Sequence, residues 1–165
     1  MRKRKHSIFL IGAFIICSVF YFVFIRDKYP IVEELPEAMQ KQFNIVYHED
    51  MNRVSLERNG ANERIGITID EDKTLYIANP VGNNITDFNI DKNKKEIYLF
   101  KSEFSYHEGD NDKFQLITVP YTKYEEVIIN NTLTVYIDYG PGNELRKYNV
   151  TNGEYELLEY NYPVK

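Results

Sequence analysis

The chain has 165 residues, with 20 Lys and Arg, 25 Asp and Glu, one Cys, no Trp and 14 Tyr. Four of the basic residues and none of the acidic ones lie within the first five positions, so the remaining chain carries 16 basic and 25 acidic groups, a net charge of −9. Such an acidic surface repels phosphate backbones and argues against a nucleic-acid partner. A single Cys excludes an internal disulfide, and the length fits one domain or two very small ones.

Residues 7–25 read SIFLIGAFIICSVFYFVFI, nineteen positions without a charge. A helix of that length spans about 28 Å, close to the hydrocarbon thickness of a bilayer. No small-residue cleavage signal follows, so we expect a retained signal-anchor helix. Because basic residues favour the cytoplasmic side, residues 1–6 are predicted to be cytoplasmic and the C-terminal domain extracellular. The composition and the short basic start are typical of a bacterial cell-membrane protein.

Residues 26–43 contain Pro30, Pro36 and then the helix-forming run EAMQKQF. Pro is favoured in the first turn of a helix, so this segment is predicted to be a juxtamembrane spacer with a short helix. After residue 43, short runs rich in Ile, Val, Tyr and Thr alternate with polar residues and are separated by Asn, Gly and Asp clusters. That pattern predicts an all-β domain.

Two stretches of the β region match each other at an offset of sixty residues. Residues 65–100 align with residues 125–160 without a gap, and the pairs include Tyr76 with Tyr136 and many apolar positions. The match indicates a tandem duplication, with β repeat 1 over residues 44–101 and β repeat 2 over residues 102–165. We predict about six antiparallel strands in each repeat, and the repeats either pack as a sandwich or form two lobes.

The predicted strands follow the runs of β-branched and aromatic residues. They are residues 44–49, 53–58, 64–69, 73–79, 84–90 and 95–101 in the first repeat, and 103–107, 112–118, 124–129, 132–138, 144–150 and 154–160 in the second. Strict alternation of apolar residues predicts one buried face in two of these strands, with the inward positions Ile65, Ile67 and Ile69, and Leu133, Val135 and Ile137. Turns are expected at the intervening Asn-Gly, Gly-Asn and Asp-rich clusters.

Residues 75–91, LYIANPVGNNITDFNID, resemble one unit of the YVTN-type β-propeller repeats. The resemblance covers seventeen residues, recurs only loosely at residues 135–151 and includes no catalytic motif. A closed propeller needs about four or more blades, so two copies do not make one ring. The resemblance therefore implies a local meander of neighbouring strands and nothing about activity.

The two histidines of the β region, His48 and His107, each lie in a Tyr-His-Glu triplet at equivalent places in the two repeats. If the repeats pack about a pseudo-twofold axis, His48, Glu49, His107 and Glu108 converge, and these groups suit Zn²⁺. The alternative is a pair of strand-end residues that cap turns. Alternate acidic residues in the stretch 108–112 also allow weak Ca²⁺ binding, for which the alternative is a solvated loop.

No motif in the chain indicates a particular enzymatic reaction, because the sequence has no nucleophile elbow, no phosphate-binding loop and no Cys pair. We therefore expect a non-enzymatic envelope protein without a cofactor, which binds a protein or a small ligand outside the membrane. The Tyr enrichment suits a protein interface, and it equally suits strand propensity. The alternatives are a self-assembling structural subunit that uses exposed strand edges, and a metal-binding protein or enzyme that uses the Tyr-His-Glu pairs.

Overall fold

The computed structural model describes residues 29–49, 53–81, 85–101 and 112–161. The predicted cytoplasmic end and membrane segment, residues 1–25, lie outside these ranges. Within them, no helix is long and apolar enough to cross a membrane. The described chain is predominantly β, as the sequence predicts, with two short α-helices and one 3₁₀ turn.

Twelve strands are described, and most coincide with the predicted ones to within two residues. They are β1 (Ile31–Val32), β2 (Asn44–His48), β3 (Arg53–Arg58), β4 (Ala61–Glu63), β5 (Gly66–Ile69), β6 (Leu75–Pro80), β7 (Ile85–Asp91), β8 (Glu96–Lys101), β9 (Phe114–Val119), β10 (Thr132–Asp138), β11 (Asn143–Asn149) and β12 (Tyr155–Asn161). The helices are α1 (Glu37–Gln40), α2 (Tyr121–Tyr124) and a 3₁₀ turn (Glu125–Val127). The predicted strand at residues 103–107 lies outside the described residues.

These strands form three sheets. A four-stranded sheet has the order β1-β9-β6-β5, a three-stranded sheet the order β2-β3-β4, and a five-stranded sheet the order β12-β11-β10-β8-β7. Among the described strands, β8 and β10 form the one parallel pair, and every other pair is antiparallel. The parallel pair requires a long connection between Lys101 and Thr132, and β9 lies on that connection.

Turn residues explain why neighbouring strands reverse where they do. Asn59 and Gly60 join β3 to β4 with φ values of 52° and 78°, the left-handed conformation that Asn and Gly tolerate best. Between β5 and β6, the side chain of Asp70 accepts a 2.7 Å hydrogen bond from the Thr74 backbone N–H. This stabilises the acidic hairpin turn that the sequence predicts at residues 70–73.

The expected spacer contributes to the hydrophobic core instead of standing apart from it. Leu35, Met39 and Phe43 are buried at 3%, 0% and 3% exposure. They pack with Val54 and Leu56 of β3 in a cluster that also includes side chains of β6 and β9. The predicted short helix is confirmed as α1, which places Met39 in this cluster. Residues 31–43 are therefore part of the folded domain.

The strands of the two predicted repeats pair with each other, so the repeats are not separate lobes. β9 of the second repeat lies beside β6 of the first, and β10 lies beside β8. The residues aligned by the sequence match also differ in arrangement, because β6 and β7 lie in different sheets while β10 and β11 form a hairpin. The prediction that β6 and β7 form a propeller-like local meander is consequently wrong. The duplication itself stays a prediction.

The predicted strand at residues 124–129 is wrong, because α2 and the 3₁₀ turn occupy residues 121–127. Pro120 precedes α2, where a missing backbone N–H costs a helix nothing. Tyr124 and Val127 are buried at 0% and 1% exposure, three residues apart. The apolar residues that suggested a strand thus form the inward side of a helical turn, since a spacing of three also places residues on one helix face.

Candidate functional site

The structure separates the residues of the predicted metal site. His48 ends β2, and its Nε2 lies 2.8 Å from Oγ of Ser55 on the neighbouring strand β3. Glu49 follows in an exposed turn. His107 and Glu108 lie outside the described residues, so the convergence of the four side chains stays a prediction. Within the described ranges no group of three or more potential metal ligands occurs.

The outer face of the five-stranded sheet is a candidate site, because half-buried aromatic side chains and carboxylates share it. In β8, β10 and β11, buried residues alternate with half-buried or exposed ones. Ile97, Leu99, Leu133, Val135 and Ile137 point to the core side. The residues between them form the opposite side, which we call the tyrosine face. Its central side chains are Tyr98, Phe100, Tyr136 and Leu145, all half-buried.

Two stacked rings occupy the centre of the tyrosine face. Strand register places Tyr136 directly beside Tyr98 on one side and Leu145 on the other. The rings of Tyr98 and Tyr136 have centroids 5.3 Å apart and an interplanar angle of 12°. Aromatic pairs in this geometry stabilise a sheet beyond the area they bury, because offset stacking suits their quadrupoles. The pair therefore provides a rigid aromatic platform on an exposed sheet.

Carboxylates surround this aromatic platform. The Tyr98 hydroxyl donates a 3.0 Å hydrogen bond to Oδ2 of Asp138. Partial burial, followed by that hydrogen bond, raises the pKa of Tyr98 to about 12, so its hydroxyl stays protonated at neutral pH. Strand register places four further carboxylates on the same face. Asp87 lies beside Phe100, and Glu96 lies beside Thr134. Glu156 lies beside Lys147, and Glu159 lies beside Leu145. The basic residues nearby are Lys147 and Lys94, and Lys94 pairs with Glu96 at 3.6 Å.

The core side of the same sheet holds a buried ionic cluster centred on Arg146. Its guanidinium lies 2.6 Å from Oε2 of Glu144 on β11 and 3.1 Å from Oε2 of Glu63 on β4. The second oxygen of Glu63 accepts a 2.7 Å hydrogen bond from the hydroxyl of Tyr155. The side chains of Arg146, Glu144 and Glu63 are at most 8% exposed. The cluster therefore joins the five-stranded sheet to the three-stranded sheet.

Lys101 lies at the edge of this cluster, at the end of β8. It is 4% exposed, and its Nζ donates a 2.6 Å hydrogen bond to the backbone carbonyl of Arg64. Burial, followed by the positive charges of Arg64 and Arg146, lowers the pKa of Lys101 to about 7. A neutral amine is a potential nucleophile. Here, however, the amine is buried and directed at a backbone carbonyl, which suits a clamp on the chain between β4 and β5.

A third feature is an open groove of about 450 Å³ beside α1 and the β5–β6 turn. Its lining combines Lys41 with the acidic side chains Glu37, Asp70, Glu71 and Asp72. Glu37 and Lys41 pair with each other at 2.8 Å, and Asp70 accepts hydrogen bonds within the turn. These contacts are those of a solvated hairpin turn, so the groove is a weaker candidate than the tyrosine face.

Sequence reasoning identified the excess of Tyr but not which residues share a surface. The signal was present in the alternation of Glu96, Tyr98 and Phe100 with aliphatic residues, which assigns the aromatic residues to one face of a strand. The buried ionic cluster had a similar signal, because Glu144, Arg146 and Tyr148 share the phase of one strand face. Its partner Glu63 is 83 positions before Arg146, and no local pattern links them.

The chain matches no protein-family model, no curated protein and no solved structure.

Proposed function

We propose that this protein is a non-enzymatic, single-pass membrane protein whose extracytoplasmic β domain binds a second protein through the tyrosine face. The observation that carries the proposal is the half-buried outer side of the five-stranded sheet, with a stacked Tyr98–Tyr136 pair at its centre. Tyr provides large, rigid contact area at low entropic cost and is enriched in protein interfaces. The uncharged segment of residues 7–25 supports the anchor.

The shape of the tyrosine face favours a protein over a small molecule. Small ligands usually occupy concave sites that bury most of their surface, whereas a sheet face offers a broad, shallow area. The five strands β7, β8, β10, β11 and β12 contribute to it. At about 4.8 Å between neighbouring strands, such a sheet is roughly 20 Å wide, and strands of six or seven residues are also about 20 Å long. The face therefore covers about 400 Å², roughly half of the area that one partner contributes to a standard protein interface.

Site-specific photocrosslinking in the native membrane tests this proposal. A benzophenone amino acid replaces Leu145, which lies beside Tyr136, in the full-length protein. The matched control carries the same group at Tyr47, a 50% exposed position on β2 of another sheet. We expect one adduct of defined mass from position 145, its loss on adding Tyr136→Ser, and no such adduct from position 47. Equal adducts from both positions, or none from position 145, would contradict the proposal.

Self-association is the second candidate function, and strand β12 favours it. β12 is at the edge of the five-stranded sheet and carries Leu157, Leu158 and Tyr160 at 48%, 47% and 57% exposure. Exposed edge strands with apolar side chains pair readily with further strands. Sedimentation of the full-length protein in detergent separates the two candidates. A concentration-dependent oligomer that Leu158→Lys abolishes supports self-association, and a monomer at all concentrations excludes it.

A further inference from the structure

We infer that the partner of the tyrosine face is a cationic protein segment, in which Lys or Arg side chains lie over the stacked Tyr98–Tyr136 pair and meet the surrounding carboxylates. This inference rests on the proposed function, because it names the chemistry of the partner at the same site. It depends on the charge and the ring geometry of the face rather than on its area.

Charge complementarity is the first argument. Asp138 lies beside the aromatic pair, and Glu156 and Glu159 extend the acidic rim along β12. Both Glu156 and Glu159 are exposed, and the cross-strand neighbour Lys147 supplies one opposing charge. A surface with this excess of carboxylates attracts cationic groups and repels anionic ones over distances of about a Debye length. An acidic partner would be repelled by this excess of negative charge.

Ring chemistry is the second argument. The face of a Tyr ring attracts Lys ammonium and Arg guanidinium groups electrostatically within about 6 Å of its centroid. This chain already uses that contact elsewhere: Lys73 Nζ lies 4.7 Å from the Tyr121 centroid, and Arg146 lies 4.8 Å from that of Tyr155. At the tyrosine face, the hydrogen bond from Tyr98 to Asp138 adds a negative group at the ring edge. A cation that approaches the solvent-facing part of the Tyr98–Tyr136 pair therefore also meets the Asp138 carboxylate.

The same charges argue against a second copy of this chain as the occupant. Outside the first five positions the chain carries 16 basic and 25 acidic groups, so two copies repel each other at long range. A face-to-face dimer would also bring the rim carboxylates of each copy towards those of the other. Like charges across an interface are costly, so a partner with clustered Lys and Arg fits better.

A labelled deca-arginine peptide is a suitable probe, with the full-length protein held in nanodiscs of zwitterionic phosphatidylcholine, which does not attract the peptide by charge. The test variant is Glu156→Gln with Glu159→Gln. The matched control is Glu71→Gln with Asp72→Asn, which removes the same number of negative charges from the groove beside α1 and the β5–β6 turn. We expect the test variant to weaken peptide binding by at least about fivefold and the control by less than about twofold. Tyr136→Ser is expected to weaken it by about threefold.

The result that overturns the inference is an equal loss of peptide binding in the test and control variants, because binding would then follow net charge alone. The photocrosslink at position 145 distinguishes this failure from failure of the proposed function. An adduct that persists in about 0.5 M NaCl and in the Glu156→Gln, Glu159→Gln variant keeps the binding function and rejects a cationic partner. Loss of the adduct under both conditions supports a cationic partner.

Discussion

Arg146 brings a positive charge between two sheets, where it pairs with Glu144 and Glu63. Replacing it with Met removes the charge and keeps much of the volume, but leaves two carboxylates buried without their partner. Breaking a buried ion pair in this way typically costs about 3–5 kcal/mol. We therefore expect Arg146→Met to lower the free energy of unfolding of residues 29–165 by that amount in urea denaturation.

The neighbouring residue provides the control for Arg146→Met. Lys147 is exposed on the opposite side of β11, so Lys147→Met is expected to change the free energy of unfolding by less than about 0.5 kcal/mol. Similar losses in the two variants would show that the cluster contributes nothing specific. A loss confined to Arg146→Met would show that the buried carboxylates of Glu144 and Glu63 require the guanidinium as their partner.

Lys101 predicts a particular dependence of stability on pH. Its pKa falls to about 7 in the folded protein, mainly through burial, from an unfolded value of 10.5. Between pH 7 and pH 9 the unfolded chain therefore binds more protons at this site, and the free energy of unfolding rises with pH, by up to about 1.4 kcal/mol per pH unit. Lys101→Met is expected to flatten this rise. A slope that is unchanged in the variant would assign it to other groups.

Single residues were predictable from the sequence where one strand defines their environment. Leu133, Val135 and Ile137 are each 0% exposed, as their alternation predicts. Arg146 was not predictable as a buried residue, because Arg is seldom buried unless paired, and its partner Glu63 comes from a strand of another sheet. Local pattern determines the phase of a strand, whereas burial of a charge depends on what the tertiary fold places opposite it.

Helix α1 is the second element of the folded domain, after β1, and Met39 is its buried side chain. Met39 is 0% exposed and packs in the cluster with Leu56 and Phe114. We expect Met39→Ala to destabilise the domain by about 2–5 kcal/mol through lost burial and an unfilled cavity. Thermal or urea unfolding measures this loss. The control is Glu37→Gln on the same helix, whose ion pair with Lys41 is exposed to solvent, so we expect its loss to change the free energy of unfolding far less than Met39→Ala does.

An unaltered free energy of unfolding in Met39→Ala would instead support a spacer outside the core.

The positions of most elements could be predicted from the sequence, and β10 (Thr132–Asp138) coincides with its predicted range. Which strands pair with each other could not be predicted from the sequence. The chain carries no local signal that β9 belongs beside β6, because strand pairing depends on side chains that are far apart in sequence. The candidate site could not be predicted for the same reason, since the tyrosine face forms only when β8, β10 and β11 lie side by side.

The whole molecule is expected to behave as an anchored protein with its β domain outside. The full-length chain should remain in the membrane pellet after an alkaline carbonate wash, because the uncharged sequence of residues 7–25 is expected to bury apolar surface in the bilayer. A variant that lacks residues 1–28 should appear in the soluble fraction. Added protease should digest the β domain of intact spheroplasts, and protection of that domain would reverse the proposed orientation.

The path of the chain between the sheets has a consequence for biosynthesis. β8 belongs to the five-stranded sheet, the next described strand β9 belongs to the four-stranded sheet, and β10 returns to the five-stranded sheet. If the domain is exported behind a retained anchor, its N-terminal strands emerge before its C-terminal ones, and the edges of β6 and β8 stay exposed until residues 114–138 arrive. Such edges attract other strands, and long-range pairing is slow. The nascent domain is thus expected to protect these edges only late in biosynthesis, when the final third of the chain completes both sheets.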